Sequence, residues 1–292
     1  MRKTPFKQVD VFTGSPFKGN PVAVVLQADG LTGERMQRIA NWTNLSETTF
    51  VLLATSDQAD YRVRIFTPGA ELPFAGHPTI GTAHALLEAG LIEAHGGSLV
   101  QECGAGLVKL QVESNRAGER WISFDLPRPS VTPLTNTEIE ELEAILGSPV
   151  SRQAAPQLID VGARWIVAQL SSAEAVLASR PDLQRMKIQD MKAKATGVAI
   201  FGEYASGAPA RIEVRAFAPA CGVDEDPVCG SGNGCVAAFI RASGQTGRFG
   251  CEFLASQGAV LGRAGLLRIA IDRERIQVGG MSVTCIDGLL AL

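Results

Sequence analysis

Histidine, tryptophan and tyrosine are scarce in this sequence: three, three and two among 292 residues. The histidines (His77, His84, His95) lie far along the chain from most of the six cysteines, and no two cysteines have the CxxC spacing of a zinc or dithiol site. No metal is expected, and the cysteines read as reduced, mostly buried thiols. A basic run is missing too. The 27 Lys and Arg stand against 30 Asp and Glu, for a net charge of −3, which argues against nucleic acid as a partner. No apolar run reaches the length of a membrane span, and the first residues lack the core of a signal peptide; a cytoplasmic protein without membrane contact is expected. The glycines of residues 230–234 are not followed by lysine and do not open a dinucleotide-binding pattern, so no nucleotide cofactor is indicated. What is present is ordinary globular composition, 46% hydrophobic and 20% charged, in a chain long enough for one large domain or two of usual size.

Strand and helix patterns alternate along the chain. Residues 9–14, 21–26, 48–54 and 61–68 read as strands, and residues 32–44 as a helix capped by Thr32. Residues 77–92 read as a buried helix with Pro78 in its first turn. Antiparallel strands are expected over 99–114 and 120–127. A Pro- and Thr-rich stretch, 127–138, reads as a linker. Beyond it the pattern predicts a helix at 137–147, strands at 157–162 and 164–170, a helix at 172–186, strands at 197–204 and 210–219, a helix of small residues at 231–244, and paired strands to the end, with 275–284 as one of them.

The two halves echo each other. VRIFTP (63–68) matches VRAFAP (214–219), AGHPTIGTAHAL (75–86) matches CGSGNGCVAAF (229–239), and GLVKLQV (106–112) matches GLLRIAI (265–271). Three motifs in one order, at a separation too long for a solenoid, imply a duplicated domain. The expected domains are 1–127 and 128–292, with the last strand crossing back to the first. Each glycine-rich helix start carries no acid in its first turn, so its N–H groups and dipole favour an anion. Two such corners, expected to face each other across a cleft, would suit a small carboxylate. An ordinary glycine turn remains open on these residues alone.

NLSETTF (44–50), FTPGAELPFAGHPTIGTAHAL (66–86) and EDPVCGSGNG (225–234), with VDVFTGSPFKGNPVAVVL (9–26) and the glycines of residues 258–280, resemble the PhzF-like family of phenazine-biosynthesis isomerases. The resemblance spans nearly the whole chain. It implies the diaminopimelate-epimerase-like fold: two similar α/β domains, each a barrel-like, mainly antiparallel sheet around a central helix. It also implies Glu47 as the group that moves protons, with His77 and Asp226 beside the substrate as further catalytic residues. Gly76, Pro78, Thr79, Cys229, Gly230, Ser231 and Gly232 would line the binding site, and a homodimer without cofactor is expected.

The residues allow plainer readings as well. Glu47 next to Ser46 and Thr48 could cap a turn. Burial beside the strand that follows would instead raise its pKa toward neutrality, which suits a general acid/base. Asp226 before Pro227 is a common turn starter. Ser231 reads as the N-cap of the second central helix. Cys229 departs from the family, where threonine is frequent, and its counterpart in the first half is Ala75. A two-thiol racemase is thereby excluded, but a helix N-terminus lowers a thiol pKa, so a mixed Cys229–Glu47 pair is an alternative. The expected activity is a cofactor-independent, Glu47-mediated proton shift on a small carboxylic acid. The alternatives are an amino-acid racemase or epimerase, and a carboxylate-binding protein without turnover.

Overall fold

A computed structural model describes residues 2–115 and 119–292. The chain divides into two compact units, Met1–Phe124 with Gly279–Leu292, and Asp125–Val278. Each unit has the α/β form expected from the sequence, a mainly antiparallel sheet around one buried helix.

In the first unit the elements are β1 (Lys3–Val11), β2 (Asn20–Val25), α1 (Gly33–Thr43), β3 (Glu47–Leu52), β4 (Tyr61–Phe66), the two-residue β5 (Glu71–Leu72), α2 (Gly76–Glu88), β6 (Ser98–Cys103), β7 (Gly106–Ser114) and β8 (Arg120–Asp125). The C-terminal strand, Ser282–Ala291, pairs antiparallel with β1, and β1 pairs antiparallel with β2. β2 and β3 are parallel, β3 and β4 antiparallel, β4 and β6 parallel, and β6–β7–β8 antiparallel. α2 packs on β1, β2, β3 and the C-terminal strand. Every residue from His77 to Leu86 is buried, as a helix enclosed on all sides requires. Its small residues permit that enclosure. A Cβ on Gly81 would stand 2.5 Å from a Val22 methyl and 2.9 Å from one of Val11.

The second unit runs β9 (Ser130–Pro133), α3 (Asn136–Leu146), β10 (Gln157–Asp160), β11 (Arg164–Gln169), α4 (Ala173–Ala178), α5 (Leu183–Ala193), β12 (Gly197–Glu203), β13 (Ile212–Ala218), β14 (Val223–Asp226), α6 (Gly230–Ala242), α7 (Thr246–Phe249), β15 (Glu252–Gln257), β16 (Gly265–Ile271) and β17 (Ile276–Gly280). The pairings repeat those of the first unit in order. β9–β10–β11 are antiparallel, β11 and β12 parallel, β12 and β13 antiparallel, β13 and β15 parallel, and β15 and β16 antiparallel. The short β14 lies antiparallel on β13 as β5 does on β4. α6 takes the place of α2, buried from Gly232 to Ile240 against β10, β11, β12 and β16. The C-terminal strand, β18 hereafter, thus fills in the first unit the position that β9 fills in the second.

Several boundaries differ from the sequence reading. β1 begins at Lys3 because the early residues find their partners in β18; Lys7 is buried there and its Nζ donates to Glu88 (2.9 Å) and Asp287 (2.6 Å). The helix expected to reach residue 92 stops at Glu88, where Gly90 turns left-handed (φ 65°) and Leu91 N–H returns to Leu86 O. The stretch taken as a linker contains β9, an exposed strand whose proline and threonine content hid it. The helix expected over 172–186 is two, because Pro181 cannot continue α4 and Asp182 caps α5 by accepting from Arg185 N–H. The strand expected over 275–284 is divided between β17 and β18.

Candidate functional site

Glu47 opens β3 after Leu45 and Ser46, which follow Asn44, where α1 ends in a left-handed conformation (φ 54°). The threonines that follow fix this corner. Thr48 Oγ1 lies 2.8 Å from Thr43 Oγ1 at the end of α1, and Thr49 Oγ1 accepts from Thr82 Oγ1 of α2 at 2.8 Å. The Glu47 side chain is 15% exposed, and its Oε2 stands 3.2 Å from Nε2 of His77, in the first turn of α2. That buried Oε2 accepts no hydrogen bond among the described residues. Burial pushes the Glu47 carboxyl up to about 7, against the smaller opposing effect of a hydrogen bond from Ser46. A carboxyl with that pKa exchanges protons readily near neutrality.

The first turn of α2 is spare of side-chain partners. Its N-cap, Ala75, offers no side-chain acceptor, and no acid follows. Pro78 has no N–H, and Thr79 N–H bonds to Ala75 O. Thr79 Oγ1 accepts from Gln101 Nε2 (3.0 Å), whose Oε1 accepts from Tyr61 (3.1 Å). Gly76 N–H has no acceptor among the described residues. A Cβ on Gly76 would meet the Phe124 ring at 2.8 Å, so glycine is required there by packing.

In the second unit β14 carries the acids of the EDP stretch to the start of α6. Glu225 is committed to Arg215 of β13 by two hydrogen bonds of 2.8 Å, with side chains 10% and 4% exposed. Arg215 also donates to the Val176 and Ser179 carbonyls. Asp226 Oδ1 accepts from Val228 N–H (3.0 Å), and its carbonyl accepts from Gln257 Nε2 (2.8 Å). Gln257, 1% exposed, accepts through Oε1 from Cys229 N–H (3.0 Å) and Asn233 Nδ2 (2.7 Å). One amide thus ties Asp226, Cys229 and the first turn of α6 together.

The N-cap of α6 is Cys229, where the sequence suggested Ser231. Cys229 Sγ accepts from Gly232 N–H (3.2 Å). A Cβ on Gly232 would meet that Sγ at 3.2 Å. Burial first, then the Asp226 carboxylate, push the Cys229 thiol well above its ordinary range and outweigh the hydrogen bonds from Ser231 and Gly232. Of the two readings of Cys229, the buried thiol is the one this environment favours: the helix terminus is present, but desolvation and a neighbouring negative charge outweigh it. Ser231, one position inside the helix, accepts from Trp165 Nε1 of β11 (3.0 Å). With Cys229 N–H given to Gln257 and Gly232 N–H to the thiol, the N–H groups of Gly230 and Ser231 are left without an acceptor among the described residues.

Glu47 and His77 are thus brought together in one unit, and Asp226, Cys229, Gly230, Ser231 and Gly232 in the other. Sequence reasoning missed Arg215, Gln257 and Trp165. Arg215 was detectable, since the repeat aligns it with Arg64, which pairs with Glu71 of β5 through two bonds of 2.7 Å. Among the described residues no group of three His, Cys, Asp or Glu side chains is placed to hold a metal, and no helix is long and apolar enough to cross a membrane. A cavity of about 250 Å³ in the first unit, lined by His84, Glu88, Glu119 and Arg120 among others, contains none of the candidate residues.

A family model described as "Phenazine biosynthesis-like protein" (PhzC-PhzF) matches residues 9–288. The chain is 36% identical to trans-2,3-dihydro-3-hydroxyanthranilate isomerase of Pseudomonas chlororaphis, across 97% of this chain and 98% of that one. It is 43% identical to the protein called antisense-enhancing sequence 1 of Schizosaccharomyces pombe, across 99% of both. Among solved structures, the PhzF-family phenazine biosynthesis protein of Bacillus anthracis matches all of both chains with a TM-score of 0.87 and 27% identity.

Proposed function

Because this chain belongs to the phenazine biosynthesis-like (PhzC-PhzF) family and is a PhzF-like isomerase, we propose that Glu47 shifts a proton between two carbons of a small unsaturated carboxylic acid. The observation that carries this reading is the state of Glu47: largely enclosed, 3.2 Å from His77, its carboxyl pushed up to about 7 by desolvation. As carboxylate it takes a proton from an acidic C–H, the electron pair left behind moves into the adjacent unsaturation, and the double bond shifts. The carboxylic acid then returns the proton to a different carbon. Glu47 ends as it began and the product is an isomer, so neither oxidant nor co-substrate is consumed. A base with a pKa near the working pH serves both halves of that cycle.

His77 is proposed to hold the substrate beside Glu47 and relay protons. Within the second unit the N–H groups of Gly230 and Ser231 with the Ser231 hydroxyl are proposed to hold a carboxylate, with Asp226 beside them. Gly76, Pro78 and Thr79 form the corresponding helix start of the first unit. The proposed substrate is trans-2,3-dihydro-3-hydroxyanthranilate or a close analogue, after the relatives that carry its name. A racemase acting through Cys229 is supported by no feature of the site, since the thiol is buried beside a carboxylate.

The test is proton exchange in D2O followed by NMR with that compound. Wild type should place deuterium at one carbon as the double bond moves, and Glu47→Gln should lose about 10²–10⁴-fold in rate. No deuterium entry with the wild type, or undiminished entry with Glu47→Gln, would overturn the proposal.

A further inference from the structure

We propose that Trp165 is a positioning residue, which commits the Ser231 hydroxyl to donating its proton to an oxygen of a bound carboxylate. The proposal rests on the functional reading above, in which the start of α6 holds that carboxylate. Trp165 is 2% exposed, in β11, and its Nε1 lies 3.0 Å from Ser231 Oγ. An indole N–H can only donate, so in this contact the serine oxygen must accept. A hydroxyl has one proton, and that proton must then point elsewhere.

Ser231 Oγ also lies 3.5 Å from Cys229 Sγ. That sulfur already accepts from Gly232 N–H. Being a weak acceptor, it yields to a carboxylate oxygen. The Ser231 proton therefore joins the N–H groups of Gly230 and Ser231, which lack acceptors among the described residues, and gives three donors in two consecutive residues. Without Trp165, the hydroxyl is free to rotate before the anion arrives, and orienting its proton then costs part of the binding.

A double-mutant cycle on the full-length protein tests this, read by the dissociation constant of anthranilate in calorimetry. Trp165→Phe retains an aromatic ring and removes the N–H. It should weaken anthranilate about tenfold to a hundredfold, as expected for one charge-assisted hydrogen bond, and Ser231→Ala should do the same. In the Ser231→Ala background, Trp165→Phe should change the constant less than twofold. A residue that only packs the helix end would weaken binding by the same factor in both backgrounds, and that multiplicative result would overturn the proposal. So would unchanged binding in Trp165→Phe alone, or no binding of anthranilate to the wild type. Melting temperatures of the four proteins report any loss of folding separately. Deuterium exchange in wild type and Glu47→Gln runs alongside, so failure of the Glu47 chemistry is distinguished from failure of this assignment.

Discussion

At the scale of the residue, the environment proposed to suit Glu47 for proton transfer also bears on stability. Its folded pKa of about 7 exceeds the ordinary value of 4.5. Between those two values the folded protein holds a proton that the unfolded chain has released. Stability therefore falls as pH rises through that window, by on the order of 3 kcal/mol in total, complete above pH 7. Glu47→Gln cannot ionise, so it should be the more stable protein at pH 8, with the advantage shrinking toward pH 5. Urea midpoints at the two pH values check this, and a constant difference would refute it. The same titration should make the wild-type rate rise with pH to a plateau above about 7, the pH at which the carboxylate predominates. Burial raises Cys229 as well, which keeps it a neutral thiol. Cys229→Ser, which keeps a capping acceptor for Gly232, should retain the turnover of wild type, and iodoacetamide at pH 7 should leave Cys229 unmodified in peptide mass mapping. Glu47, His77 and Asp226 could be singled out as candidates because each sits in a short motif. Trp165 and Gln257 were not, because a hydrogen bond across 66 or 28 positions of sequence leaves no local pattern.

At the scale of the element, the repeated unit is a corner: a strand bearing Arg and Phe, a short return strand bearing Glu, and a helix of small residues. Arg64 and Arg215 each pair with a glutamate on the return strand, and each stacks over the phenylalanine two positions on, at 5.1 and 4.9 Å from the ring centroid. Burial separates the two copies. Arg64 is 33% exposed and its pair is near the surface; Arg215 is 4% exposed. Arg64→Ala should thus cost under about 1 kcal/mol. Arg215→Ala leaves Glu225 buried and uncompensated, and should cost about 3–5 kcal/mol, measured by denaturant unfolding. It should also reduce activity, since Glu225 adjoins Asp226. The corner could be read from sequence because its parts lie close together. β9 and the break at Pro181 could not: an exposed edge strand needs little apolar patterning, and a helical run of residues on both sides conceals one proline.

At the scale of the whole molecule, duplication explains why the two strand orders match and why one strand is supplied from a distance. β18 holds β1 along Lys3–Val11, and Arg2 and Leu292 exchange backbone hydrogen bonds at the far end. A chain ended at Gly280 would lose those pairings and the Asp287 partner of Lys7. Amide exchange in Lys3–Val11 should then accelerate markedly while exchange in β10–β12 stays near its wild-type rate; equal protection of β1 in both proteins would contradict this.

The position of β18 also bears on how the protein is made. Residues 125–278 form a contiguous unit that can assemble while the chain is still being translated. The first unit cannot, because β18, which completes its sheet beside β1, follows the whole second unit in the chain. The later half of the duplicated protein can therefore close around α6 before the earlier half closes around α2.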